Sequence, residues 1–185
     1  MTKYGMLFDS TKCIGCQSCS IACREANGVP DGVSRLQVRI VPGGTYPVPR
    51  LDFQRQSCVM CDNPPCVPVC PTGASYINAD GITLVDSAKC IGCKYCVVAC
   101  PYQARFINPV THVADKCTFC VDRLAAGQQP ACVAQCPTGA LQFGDLEASD
   151  SNVSKARAAK VFVAPKEHLG TKPKLVVVPS KGGVK

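Results

Sequence analysis

Residues 90–101 read CIGCKYCVVACP, so that Cys90, Cys93, Cys96 and Cys100 fall within eleven positions and Pro101 follows at once. The C-x2-C-x2-C part turns three sulfurs toward one point from a single loop, while the x3 step to Cys100 begins a turn that points away. A tetrahedral sulfur set built on this loop therefore needs its fourth member from elsewhere. Working outward, the sixteen cysteines of the 185-residue chain fall into four groups. These are Cys13, Cys16, Cys19, Cys23; Cys58, Cys61, Cys66, Cys70; Cys90, Cys93, Cys96, Cys100; and Cys117, Cys120, Cys132, Cys136. Each group ends in a C-x3-C step, and three of the closing cysteines precede Pro71, Pro101 and Pro137, whereas Arg24 follows Cys23. The text between groups repeats as well: FDSTKCIGCQSC at 8–19 matches VDSAKCIGCKYC at 85–96, and CPTGASYI at 70–77 matches CPTGALQF at 136–143. Such self-similarity marks duplicated supersecondary units.

Thiols in this pattern are metal ligands. Disulfides would need an oxidising compartment and would strain sulfurs crowded at C-x2-C-x2-C spacing. Structural zinc typically uses two separated C-x2-C knuckles per ion, not a triplet. No C-x2-C precedes a histidine, which excludes covalent haem. A cubane iron–sulfur cluster takes four thiolates in tetrahedral directions. In the C-x2-C-x2-C-x3-C-P run of bacterial ferredoxins the closing cysteine serves the other cluster of a pair, and proline tolerates the missing N–H at that turn. Cys90, Cys93 and Cys96 are thus expected on one cluster and Cys100 on a neighbour. Sixteen ligands make four [4Fe–4S] clusters with none left over. The groups then couple in twos. The short step from Cys70 to Cys90 suits a compact module of the second and third groups, with the first and last wrapped around it, but spacing alone leaves the sequential pairing open.

The formal charge of +7 invites a nucleic-acid reading. Each oxidised cubane with its four thiolates carries about −2, so four of them bring the total to about −1 and remove that support. No nucleic-acid partner is expected. No apolar run is long enough to span a bilayer, and the opening MTKYGMLFDSTKC lacks a basic start, an apolar stretch and a small-residue cleavage site. The expectation is a soluble or peripheral chain with no export address of its own.

Short strands are predicted at Met6 to Phe8, Ser75 to Asn78, Thr83 to Val85, Arg105 to Ile107 and Leu141 to Phe143. One-turn helices are predicted over Ser18 to Ala26 and Val97 to Ala99. Two cysteine-free pieces interrupt the repeats. In the first, LQVRI and LDFQRQ flank PGGTYPVP and read as a strand, a loop and a returning strand. In the second, a helix from about Ser151 to Ala159 precedes the extended KPKLVVVPS. Either piece suits partner contact, or equally a surface loop and a tail packed back.

The cysteine order, with the wide gap from Cys61 to Cys66 at NPPC and the eleven residues between Cys120 and Cys132, resembles the four-cluster electron-transfer subunit of the complex iron–sulfur molybdoenzymes of the dimethyl sulfoxide reductase type. The resemblance runs strongly over residues 1–146. Within it, DNPPCVPVCPTGASY and DKCTFCVDRLAAGQQPACVAQCPTGALQFG are most similar to the small subunit of polysulfide and thiosulfate reductases. Tetrathionate, dimethyl sulfoxide, formate and nitrite-linked relatives share the same cysteine frame.

That resemblance implies an α+β fold of two bacterial-ferredoxin-like modules, one nested in the other. The first half of the outer module would take 1–26, an insertion 27–51, the inner module 52–109, the second half of the outer module 110–146, and a helix and extended tail for partner docking 147–185. It implies cluster one on Cys13, Cys16, Cys19 and Cys136 and cluster two on Cys117, Cys120, Cys132 and Cys23. Cluster three would fall to Cys58, Cys61, Cys66 and Cys100, and cluster four to Cys90, Cys93, Cys96 and Cys70. In that family the clusters form a line from a molybdopterin-containing catalytic subunit to an integral membrane quinone-binding anchor. The chain itself would be non-catalytic, an electron relay in anaerobic respiration. It would sit on the cytoplasmic membrane, on the periplasmic face by co-export with the catalytic subunit or alternatively on the cytoplasmic face. The alternative of another class is a free soluble polyferredoxin.

Lys12, Lys89 and Lys116 each stand immediately before the first cysteine of a group, where a positive charge would favour a reduced cluster; exposed lysines kept for solubility are the competing reading. His112 and His168 have no partner spacing and read as surface or turn residues. Tyr95 and Tyr102 lie near cluster cysteines, where burial against the clusters explains them as well as a redox part does.

Overall fold

The computed structural model describes residues 3–158 and 162–180. In chain order its first elements are β1 (Tyr4–Asp9), α1 (Ser18–Ala26), β2 (Leu36–Thr45), β3 (Val48–Ser57), β4 (Ser75–Ile77), β5 (Thr83–Val85) and α2 (Tyr95–Val98). There follow β6 (Phe106–Ile107), β7 (Ala114–Asp115), α3 (Val121–Ala125), α4 (Ala131–Ala134), β8 (Leu141–Asp145), α5 (Asn152–Ala158), a 3-10 turn at Glu167–Leu169 and β9 (Leu175–Val178).

The largest sheet is ordered β8-β1-β9. β1 is its centre, and four consecutive buried residues there show that both faces of the strand are covered. β8 lies antiparallel to it, from Tyr4 opposite Asp145 to Phe8 opposite Leu141. β9 lies parallel, from Met6 opposite Leu175 to Asp9 opposite Val178. Alternation along the strand sorts the side chains. Met6 and Phe8 join the core that contains most of the buried cysteines. Leu7 faces the other way and packs with Val153 of α5 and Val176 of β9. The first and last cysteine groups are therefore tied together by one sheet, reinforced by packing of α1 against α4.

The tail is part of this sheet. KPKLVVVPS is extended as expected, but Leu175 and Val176 are buried, and Lys174 N–H reaches the Val59 carbonyl at 3.0 Å. The helix expected over Ser151 to Ala159 is found as α5, and Ala159 lies outside the described residues.

β2 and β3 form one long hairpin, paired from Leu36 opposite Ser57 to Thr45 opposite Val48. The expected loop PGGTYPVP is instead mostly strand, and the chain turns only at Tyr46 and Pro47. Pro42 and Pro49 are tolerated because each strand of a two-stranded ribbon is an edge, so a missing N–H can face outward. The expected boundary between residues 51 and 52 falls inside β3, which runs directly into Cys58. The hairpin base is buried through Leu36 and Val38, while Ile40, Tyr46, Val48 and Leu51 near its tip are exposed.

β4 pairs with β5 and β6 with β7, each a short antiparallel ladder. The expected boundary at residue 109 lies in the turn between β6 and β7, where the Asn108 side chain accepts from Val110 N–H at 2.9 Å. The predicted helix at Val97 to Ala99 begins earlier, as α2, and Arg105 and Asn78 fall outside the strands expected to hold them. β7, α3 and α4 were not expected. Each is two to five residues long, too short to show a period in the sequence.

Candidate metal centres

The repeated segments fold alike. In each CIGC loop the glycine has a left-handed backbone, Gly15 at φ +69° and Gly92 at φ +67°, and so do Gln17 and Lys94 just before α1 and α2. Left-handed residues alternating with negative-φ neighbours turn backbone N–H groups into a concavity suited to a negative centre. Glycine is also required by space: a Cβ on Gly15 would lie 2.4 Å from Phe53 Cε1, and one on Gly92 would lie 2.6 Å from the His112 carbonyl. The two CPTG segments match in the same way. Gly73 N–H reaches Cys70 O at 3.3 Å and Gly139 N–H reaches Cys136 O at 3.3 Å. The Thr72 and Thr138 hydroxyls stand 3.7 and 3.8 Å from the sulfurs of Cys70 and Cys136.

Long-range packing then brings loops from distant groups together. Cys13, Cys16, Cys19 and Cys136 line one cavity, with Phe8, Val38 and Arg55 on its walls. Cys23, Cys117, Cys120 and Cys132 line a second, with Asn27, Arg35 and Arg55. Cys58, Cys61, Cys66 and Cys100 line a third, with Tyr102 and Arg105. The space between atoms in the three is ≈ 370, ≈ 300 and ≈ 350 Å³, part of it open to solvent. Cys70, Cys90, Cys93 and Cys96 have the same burial as the first set: Cys96 is buried, Cys70 and Cys90 are half-buried and Cys93 is exposed. There Cys70 Sγ accepts from Ser75 N–H and Cys90 Sγ from Ala114 N–H, both at 3.4 Å.

The donor set fits iron–sulfur clusters. No group of three or more His, Cys, Asp or Glu among the described residues converges tightly enough for a lone metal ion, whereas these quartets surround open volume. Burial, followed by the neighbouring sulfurs, pushes the thiols of Cys23 and Cys61 up to about 12. Burial does the same to Cys132 against the lowering effect of Arg55, again to about 12. Such sulfurs are costly to hold as free thiolates and need a cationic centre. Cys16 is the reverse: the Ser18 hydroxyl beside it, 3.4 Å away, draws its pKa down. The Arg55 guanidinium has all three nitrogens buried with no partner among the described residues, and it faces two of the cavities. An orphaned buried cation of that kind fits an anionic occupant on each side.

Among the lysines singled out, two are tied down at the surface. Lys12 pairs with Asp9 at 3.7 Å and Lys89 with Asp86 at 3.5 Å, and each aspartate also caps the same turn, accepting from Thr11 and Ala88 N–H at 3.0 Å. Lys116 is buried instead, its ammonium held by the carbonyls of Thr83 and Cys117. His112 and His168 are exposed. Tyr102 lines the third cavity, and its hydroxyl lies 2.5 Å from that of Thr171, whereas Tyr95 is exposed, so burial does not account for it. Arg35, Arg55 and Arg105 were not singled out from sequence, since nothing local marks an arginine that will be buried. Cysteine spacing marks loops, not the residues packed over them.

Comparison with known proteins agrees with this chemistry. Two family profiles, both described as 4Fe-4S dicluster domain, match residues 49–146 and residues 12–74. The chain is 55% identical over 187 residues to the B subunit of the polysulfide reductase of Wolinella succinogenes, covering 98% of this protein and 96% of that one. It is 52% identical over 184 residues to protein NrfC of Escherichia coli K12, covering 98% and 82%. It is 55% identical over 151 residues to the thiosulfate reductase electron transfer subunit PhsB of Salmonella typhi, covering 80% and 79%. With sixteen cysteines and dicluster matches over both halves, the chain belongs to the 4Fe–4S dicluster family, within it to the non-catalytic electron-transfer subunits of respiratory reductases, and it carries four [4Fe–4S] clusters.

Proposed function

We propose that this chain relays electrons between a molybdopterin-containing catalytic subunit and an integral membrane quinone-binding anchor, in a reductase for polysulfide, thiosulfate or tetrathionate. When bound, the clusters supply closely spaced one-electron sites. The observation that carries the reading is the difference between the ends and the middle of the cysteine array. Cys16 and Cys93 are exposed, and Ile14 and Ile21 lie bare beside the one and Ile91, Tyr95 and Val98 beside the other. Cys23, Cys61, Cys66, Cys117 and Cys132 between them are buried. A relay needs two open ends wrapped by partners and an interior closed to water; a carrier that diffuses alone gains nothing from two bare apolar patches.

The same reading assigns cluster one to Cys13, Cys16, Cys19 and Cys136, cluster two to Cys117, Cys120, Cys132 and Cys23, cluster three to Cys58, Cys61, Cys66 and Cys100, and cluster four to Cys90, Cys93, Cys96 and Cys70. The shared cavities support the first three sets. It also takes the modules as nested: the β1–β8 ladder, which joins residues 4–9 to 141–145, supports an outer module that encloses the inner one. The β2–β3 hairpin tip, with Tyr46 96% exposed, is the proposed insertion surface for a partner, together with the outward side of α5. Relatives named as polysulfide and thiosulfate reductase subunits support the sulfur-compound substrate. The location is the periplasmic face of the cytoplasmic membrane, reached with the catalytic subunit.

Native purification under anaerobic conditions tests this. A large molybdenum-containing protein and a membrane protein should co-purify in fixed ratio, and added protease should reach the chain in spheroplasts but not in intact cells. A monomer that runs alone and stays in the cytosol would instead identify a free polyferredoxin.

A further inference from the structure

Three buried cations lie among the cysteine quartets, and none is paired with a carboxylate among the described residues. Arg55 lines the cavities of both Cys13/16/19/136 and Cys23/117/120/132, with Nε, Nη1 and Nη2 buried and unpartnered. Lys116, 1% exposed, reaches the carbonyl of Cys117 in the second set at 2.8 Å and that of Thr83, which lines the third cavity. Arg105, 5% exposed, donates from Nη2 to Cys66 Sγ of the third set at 3.0 Å and to Ser75 Oγ at 2.8 Å, and its Nη1 is unpartnered. Ser75 in turn gives its N–H to Cys70 Sγ of the fourth set at 3.4 Å.

Burying a cation without a counter-charge is strongly unfavourable. Here each stands at a junction between two sets of sulfurs, and only negative centres on either side can balance it. We infer that Arg55, Lys116 and Arg105 are built-in counter-charges, one at each junction of a row of four clusters, which raise the reduction potential of both flanking clusters. The physical logic is mutual repulsion. Reducing one cluster adds a negative charge that disfavours reduction of the next, and a cation between them, in surroundings closed to water, offsets that for both at once. In the sequence, lysine precedes the first cysteine of three groups. The structure puts positive charge between groups and draws two of the three cations from outside the lysine pattern.

This inference rests on the cluster partition proposed above. The experiment is a potentiometric titration of the intact complex followed by electron paramagnetic resonance, each midpoint assigned with a Cys→Ser variant of its own set. Arg55→Gln should lower the first and second midpoints and leave the third and fourth; Lys116→Gln should lower the second and third; Arg105→Gln should lower the third and fourth. Each affected reduction equilibrium should fall tenfold or more, about 59 mV for one electron. Arg55→Lys keeps the charge and should keep the midpoints. Unmoved midpoints in an Arg55→Gln protein with all clusters present would overturn the inference, as would equal shifts in all four. If Arg55→Gln loses iron, Arg55→Lys decides: midpoints that fall in it show geometry at work and not charge. A cation variant that moves two clusters other than its expected neighbours sinks the partition while the counter-charge role stands.

Discussion

Leu175 of β9 lies directly opposite Met6 of β1 in a parallel ladder, and the two are 1% and 0% exposed. Residues at the two ends of the chain thus share one patch of core. Leu175→Ala should cost about 2–5 kcal/mol, the range for truncating a buried leucine. Guanidinium-induced loss of cluster absorbance should move to clearly lower denaturant, and an unmoved midpoint would show that the tail is not part of the cooperative core.

Gly15 and Gly28 both have left-handed backbones, at φ +69° and φ +55°, but only at Gly15 is the space beyond Cα taken. Alanine at either costs about 1–2 kcal/mol through backbone conformation alone. At Gly15 the Phe53 ring must also move, and Phe53 lies on the hairpin strand beside the first cysteine loop. Gly15→Ala should therefore lose the first cluster's paramagnetic signal on reduction, while Gly28→Ala keeps full iron content.

The proposed crossed ligands can be tested on two clusters. Cys100 lines the cavity of Cys58, Cys61 and Cys66, not that of its own loop. Cys100→Ser should remove the third cluster and spare the fourth, and Cys70→Ser should do the reverse. The opposite outcome, read from iron content and low-temperature spectra, would return Cys100 to the loop that carries it.

Arg35 pairs with Asp115 at 2.7 Å, both side chains largely buried, and also gives Nη1 to Asn27 Oδ1 at 2.7 Å. This ties the hairpin base to β7 and to the end of α1. Removing one member of a buried pair leaves the other uncompensated, and Arg35→Ala should cost about 3–5 kcal/mol. Denaturant titration measures it; Arg35→Ala combined with Asp115→Ala should recover part of the loss.

Stripping iron with a chelator leaves Arg55 and Arg105 buried without the negative centres that balance them. The fold should open, since site and core are one structure here. Hydrogen exchange should show loss of amide protection in β1 and β8, regained on reconstitution with iron and sulfide. Protection that survives iron removal would mean the apolar core suffices.

Much of the local structure was legible in the sequence. Asp9 and Asp86 in matched repeats cap matched turns, Gly73 and Gly139 close matched bends, and α1 runs from Ser18 to Ala26 as its residues indicate. The hairpin was legible as two strands but not in length, because Pro42 and Pro49 read as loop residues until they are seen on a two-stranded ribbon. Whether Tyr95 is buried was not legible, and it is exposed, since a four-residue helix beside a cysteine triplet does not reveal which side faces outward.

From the sequence alone came the ligand triplets, their number and the iron chemistry, because over a few residues covalent geometry decides where sulfurs point. Only the tertiary structure showed that Cys136, Cys23 and Cys100 line cavities with cysteines of other groups, that the tail completes the β1 sheet, and that the charged ends of Arg55, Lys116 and Arg105 are buried near the cysteine sets while Lys12 and Lys89 are held at the surface by neighbouring aspartates. Those relations join residues far apart in the chain. Burial and the need to balance charge away from water select them, and no local pattern records either.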